Sequence, residues 1–170
     1  MFHKPGGCIT ARRDPRHKTV MDYFPEELRD VVFPVGRLDK DTTGLLIITD
    51  DGEFSHNCIS PTKNVKKVYE AELDGELTPQ MIEAFKEGIT LADGTLCKPA
   101  ELSILEKNKA QITITEGKYH QIKRMFGTVE LGVNSLKRLS VGELKIPLNL
   151  AEGEYIEITA EQAEKAIKSY

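Results

Sequence analysis

Residues 36–52 read GRLDKDTTGLLIITDDG, and within them Leu45, Leu46, Ile47 and Ile48 form an unbroken apolar run closed by an Asp-Asp-Gly turn. The run lacks the alternation of a half-exposed strand and is too short for a buried helix, so it predicts a strand covered on both faces. A strand of that kind needs packed layers on either side. At 170 residues the chain is long enough to supply them without disulfide or metal staples. Its three cysteines, Cys8, Cys58 and Cys97, are odd in number and widely spaced, which argues against a disulfide framework or a zinc knuckle and for a reducing, cytoplasmic setting. No apolar stretch approaches the ~18 residues of a membrane span, and the N-terminal MFHKPGGC cannot serve as a secretion signal.

The flanking segments mix both periodicities. TVMDYF (19–24) suits one or two helical turns, and VVFPV (31–35) suits an edge strand or strand end because Pro34 has no N–H to donate. A helix is expected after Asp51. KKVYEAEL (66–73) alternates, placing Tyr69, Ala71 and Leu73 inward with Lys67 at the rim. TPQMIEAFKEG predicts a helix with Thr78 as N-cap, Pro79 in the first turn and Gly88 as terminator. Strands follow near 96–105 and 110–115, paired across the EKNK turn. Residues 119–130 return to helical period: Ile122, Met125, Phe126 and Val129 share one face, and His120, Lys123 and Arg124 converge on the other. Residues 135–146 and 154–159 are strand-like, and 160–169 close as a helix. The sum is an α+β fold with a mostly antiparallel mixed sheet and flanking helices. We expect one domain over residues 1–170, open to division into two small subdomains around a central cleft.

Charge is unevenly placed. The net charge of −4 taken alone disfavours a polyanionic partner. However, residues 1–20 carry five cations against Asp14, and residues 118–145 carry six against Glu130 and Glu143, whereas residues 68–95 hold seven carboxylates and one lysine. An acidic average can thus conceal a basic face.

Three chemistries compete for the 36–52 segment. Asp39, Asp41, Thr43 and Asp50 imitate a calcium loop, but the apolar run at 45–48 and the lack of a preceding helix oppose it. Asp-x-Asp-x-Thr imitates a magnesium-dependent aspartyl-phosphate motif, yet Gly36 and Arg37 interrupt the strand that should lead into the first Asp. A single carboxylate, Asp39, beside Arg37, with a tyrosine and a helix-borne cation brought from elsewhere, suits metal-free nucleophilic or general-base work on a sugar or base. An aromatic ring can stack on an extruded base while cations hold its phosphates.

GRLDKDTTGLLIITDDGEFSH resembles the signature of the ribosomal RNA pseudouridine synthases, in the branch of ribosomal small-subunit pseudouridine synthase A. HKPGGCIT (3–10) is similar to the family's Lys-Pro-x-Gly element. KKVYEAEL is similar to its Lys-x-Tyr strand, and residues 116–146 to its third motif and following strand. Four motifs in order cover nearly all of the catalytic part. The resemblance implies a cofactor-free, metal-free isomerase in which Asp39 is the catalytic aspartate for cleaving the C1′–N1 bond of uridine, by attack on C1′ or as a base on a glycal route. It further implies that Tyr69 stacks on the flipped base and that Lys123 is the cation paired with the aspartate. Arg37, His120, Gln121 and Arg124 would position the loop or the RNA, and Lys4, Lys66 and Lys67 would contact its backbone. The implied partner is ribosomal RNA of the small subunit, bound by a cytoplasmic monomer. Members of the branch carry a small N-terminal S4-type RNA-binding domain, whereas this chain opens at the catalytic start, as a truncated, processed or minimal form would. The alternative from another class is a non-catalytic RNA-binding or ribosome-assembly factor on the same scaffold.

Overall fold

In the computed structural model, which describes residues 1–168, the apolar run at 45–48 is shared between two sheets. In chain order the elements are β1 (Phe2–Lys4), a 3-10 turn at Val20–Tyr23, α1 (Glu26–Arg29), β2 (Phe33–Pro34), β3 (Thr43–Leu46), β4 (Ile48–Thr49) and α2 (Gly52–Ile59). A 3-10 turn at Pro61–Lys63 leads to β5 (Lys67–Leu73), α3 (Pro79–Glu87), β6 (Glu101–Glu106), β7 (Lys109–Ile114), α4 (Gln121–Gly127), β8 (Val133–Val141), β9 (Leu144–Lys145) and α5 (Ala160–Glu164), with a last 3-10 turn at Lys165–Ile167. The main sheet runs β1-β3-β8-β5-β7-β6, with β9 on β8; every pairing is antiparallel except β3 with β8.

The expectation of a strand covered on both faces holds for the packing and needs correction for the pairing. Leu46 packs in one core with Tyr69, Ala71, Phe85 and Phe126, while Leu45 and Ile47 pack in a second core with Val35, Cys58, Val141 and Leu144. Consecutive side chains of one strand thus feed two layers, as period-2 geometry requires. The pairing changes at Ile47: its carbonyl accepts from the Val35 N–H at 2.8 Å, and β4 leaves the main sheet for a two-stranded ribbon with β2. Pro34 sits in that ribbon, where no second partner needs its missing N–H.

Most of the other expected elements form with shifted ends. Asp51 caps α2 by accepting from the Phe54 N–H, and Gly88 ends α3 at φ 100°. The strand expected from residue 96 begins only at Glu101, because the Cys97 and Ala100 N–H groups are held by the Ile89 and Phe85 carbonyls. Residues 154–159 form no strand. They meet β1 at one bridge, Phe2 with Tyr155, flanked by the His3 N–H on the Glu154 carbonyl and the Ile156 N–H on the Met1 carbonyl. Thr159 and Gln162 close a capping box on α5, and the expected last residue of that helix, Ser169, lies outside the described residues. Cys8, Cys58 and Cys97 are buried and free. Among the described residues no helix is long and apolar enough to cross a membrane.

Candidate active site

Asp39 stands on a loop whose backbone is fixed almost residue by residue. Thr10 Oγ1 donates to the Leu38 carbonyl at 2.8 Å and accepts from the Leu38 N–H at 3.1 Å. The Thr42 N–H closes a turn onto the Asp39 carbonyl at 3.0 Å, and the Gly7 N–H reaches the Lys40 carbonyl at 2.9 Å. Beneath the loop lies Lys4, fully buried, its Nζ donating to the carbonyls of Pro5, Lys40 and Thr42 at 2.9, 3.0 and 2.8 Å. Burial lowers its pKa, opposed by Cys8, Asp41 and Asp39 nearby. Lys4 therefore clamps the loop from inside and is not exposed to an RNA backbone, which corrects the expectation drawn from the Lys-Pro-x-Gly resemblance. Replacing Lys4 by Met should strand three carbonyls and destabilise the protein by about 3 kcal/mol. Urea unfolding of the variant measures this, and a loss below about 1 kcal/mol would contradict the clamp.

The Asp39 carboxylate meets two groups from the 116–127 region: His120 Nε2 at 3.4 Å from one oxygen and Lys123 Nζ at 3.6 Å from the other. Lys123 is on α4, with its apolar face held in the core by Ile122, Met125 and Phe126. His120 caps that helix in the left-handed region (φ 47°), a conformation that costs a non-glycine residue roughly 1–2 kcal/mol and that turns its ring to Asp39. Tyr119, 76 % exposed, stacks on this ring with centroids 3.9 Å apart.

Of the three donors expected to converge, Arg124 departs. One position beyond Lys123 on a helix of only seven residues, it turns to Asp93 (2.8 Å) and the Tyr119 carbonyl (3.1 Å). The Asp93 pKa falls to about 2, chiefly through the Thr95 backbone N–H. Gln121 is buried: its Nε2 donates to Glu116 at 2.9 Å and its Oε1 accepts from the Lys118 N–H at 2.9 Å. It braces the 116–121 turn from within and offers little to a ligand. Burial pushes the Glu116 pKa up, but the Lys98 N–H, Lys118 and Gln121 outweigh it and hold the carboxyl below its usual range.

Tyr69 projects from β5 into the same cleft, only 7 % exposed, and lines it together with Ile114 and Leu136. The cleft around Asp39, Tyr69, His120 and Lys123 is small, about 80 Å³. It adjoins a cavity of about 310 Å³ beyond Tyr69 and an open groove of about 520 Å³ past Tyr119, and Arg37 borders all three. Lys67 lines the 310 Å³ cavity beside Arg138; burial first, then the Arg138 charge, lowers its pKa to about 8. Lys66 instead pairs with Glu101 at 3.3 Å. A hollow of about 430 Å³ near Phe54 and Ile158 shares no residue with the Asp39 cleft. Among the described residues no three His, Cys, Asp or Glu side chains gather in a way that could hold a metal ion.

Sequence reasoning passed over two residues here. Tyr119 was legible as an aromatic directly before the His-Gln-Ile-Lys-Arg-Met run; Arg138 was visible only as one charge in a strand.

A family model described as RNA pseudouridylate synthase matches residues 1–128. A Bacillus subtilis protein named as an uncharacterized RNA pseudouridine synthase, YtzG, is 42% identical over 167 residues, covering 95% of this chain and 70% of its own. The ribosomal small subunit pseudouridine synthase A of Escherichia coli K12 is 38% identical over 163 residues, covering 95% and 71%. A crystal structure of a pseudouridylate synthase superposes with a TM-score of 0.93 at 37% identity, over 97% of this chain and 71% of that one. A carboxylate, a buried tyrosine and a helix cation meeting in one cleft, on a fold and sequence shared with these enzymes, make the chain a member of the RNA pseudouridylate synthase family.

Proposed function

We propose that the enzyme isomerises one uridine of small-subunit ribosomal RNA, with Asp39 as the catalytic carboxylate. The observation that carries the site assignment is the placement of Asp39, on a clamped loop, against Lys123 and His120 and beside the buried Tyr69. The reaction needs nothing from outside: the C1′–N1 bond breaks, uracil turns, C1′–C5 forms, and the C5 proton is replaced at N1. A carboxylate can serve it as nucleophile on C1′ or as base. Lys123 and His120 orient that carboxylate, and the Tyr69 ring carries the extruded uracil. The exposed Tyr119–His120 stack offers a platform for a neighbouring base, with Arg37 and Lys118 near its phosphates.

The choice of ribosomal RNA is supported by the name of the E. coli relative and by the resemblance of HQIKRM to that branch. Pseudouridine mapping of ribosomal RNA from cells with and without the gene tests it. Loss of one site in the small-subunit RNA is expected; an unchanged map there would overturn the substrate assignment.

Replacing Lys123 by Met should lower kcat by about 10²-fold, the scale on which one positioned charge acts in a partly dry site, with KM for RNA changed far less. His120→Ala should cost less, because it leaves the Lys123 ammonium in place beside Asp39. Single-turnover kinetics separate the two, and a Lys123→Met variant with full kcat would remove Lys123 from the reaction.

A further inference from the structure

The 310 Å³ cavity beyond Tyr69 has a charge imbalance that the Asp39 chemistry does not use. Arg37, Lys67 and Arg138 line it, and Glu116 is the one carboxylate among its lining residues. Glu116 is already engaged by Lys118 at 3.0 Å, the Lys98 N–H at 2.7 Å and Gln121. Arg138 is opposite Tyr69 in the β5–β8 ladder, and Lys67 lies two residues before Tyr69 on the same face, so both cations flank the tyrosine. Arg138 is 4 % exposed; its Nε donates to the Leu45 carbonyl at 2.9 Å, and its two terminal nitrogens have no acceptor among the described residues, yet are not sealed off. Lys67 Nζ has only the Val65 carbonyl, at 3.3 Å. Among the described residues neither has a carboxylate within ion-pair distance.

Two neighbouring cations held half-desolvated without a counter-ion destabilise a fold unless an anion arrives to balance them. A guanidinium fork beside an ammonium suits tetrahedral oxyanions, and phosphate above all. Because the cavity opens beside the ring assigned to the flipped base, the anion that reaches it with that base is a phosphodiester of the same strand. We propose that Lys67 and Arg138 form the seat for an RNA phosphodiester next to the flipped nucleotide. The seat fixes the strand while Asp39 reacts. This inference rests on the RNA-modifying reading above for its ligand, but not for the existence of an anion site.

Two arms test it. In the first, inorganic phosphate is compared with chloride at equal ionic strength on the full chain: wild type should gain about 2–4 °C in Tm at phosphate several-fold above its Kd, and Lys67→Met should gain nothing. In the second, binding to a small-subunit ribosomal RNA transcript is followed against salt. Lys67→Met should bind several-fold more weakly, with the log–log salt slope shallower by about 0.7, the share of one single-strand phosphate. Arg138→Lys, which keeps the charge but loses the fork, guards against a folding defect and should retain the slope with weaker binding. Equal phosphate stabilisation of wild type and Lys67→Met, or an unchanged salt slope, would overturn the seat. A wild-type protein that shows both effects yet makes no pseudouridine would sink the activity reading and leave the seat standing.

Discussion

Replacing Asp39 by Asn is expected to lower pseudouridine formation by about 10⁴-fold or more, the scale of loss when the group that forms or breaks the reacting bond is removed. Stability should change by about 1 kcal/mol or less. The carboxylate is 29% exposed and its partners lie at 3.4 and 3.6 Å, so it forms loose pairs of the kind that contribute little to folding. The loop itself is held through backbone groups by Thr10, Gly7 and Lys4, none of which touches the Asp39 side chain. An amide of the same shape should therefore sit in the same place without the chemistry. Isomerisation assays paired with urea unfolding make the comparison, and activity within about tenfold of wild type would remove Asp39 from the mechanism.

Gly44→Ala is expected to produce the largest loss of stability of any one-methyl change in the loop region. Gly44 has φ 108°, and a Cβ there would stand 2.2 Å from the Arg138 carbonyl oxygen and 2.6 Å from its backbone nitrogen. This close approach is what lets β3 run parallel to β8, with Thr43 opposite Lys137 and Gly44 opposite Arg138. Backbone strain and overpacking each cost about 1–3 kcal/mol, together about 2–6 kcal/mol, a large fraction of a typical domain's stability. The same contact holds Arg138 beside Tyr69, so activity should fall with stability. Gly127→Ala is the control: it is helical, and a Cβ there meets nothing within 4 Å. A shift in unfolding free energy below about 1 kcal/mol for Gly44→Ala would mean that β3 can move away from β8 at little cost.

What the sequence made legible follows the reach of each signal. Tyr69, Ala71 and Leu73 were readable as an inward face because period 2 is a local property, and α3 because Thr78, Pro79 and Gly88 mark its ends. The site triad of Asp39, Tyr69 and Lys123 came from a family resemblance, and the structure brings the three to one cleft. Partner choice was not legible. Nothing local says that Arg124 meets Asp93, 31 residues away, or that Lys4 lies under a loop 36 residues on. Segment charge was legible in part: Lys118, Lys123 and Arg138 of the basic stretch 118–145 border the clefts. In the basic stretch 1–20, Lys4 is enclosed, Arg13 pairs with Asp30, and Lys18 lies over the Tyr23 ring at 4.2 Å. The other two cations that border the clefts, Arg37 and Lys67, come from outside both basic stretches.

The proposed isomerisation of a uridine in small-subunit ribosomal RNA through the carboxylate at position 39 stands or falls on one experiment. The most direct measurement incubates unmodified transcript of that RNA with purified protein and maps pseudouridine at single-nucleotide resolution. One modified site with the wild-type enzyme and none with Asp39→Asn is the predicted result; no site with wild type, or the same site with both proteins, would contradict it.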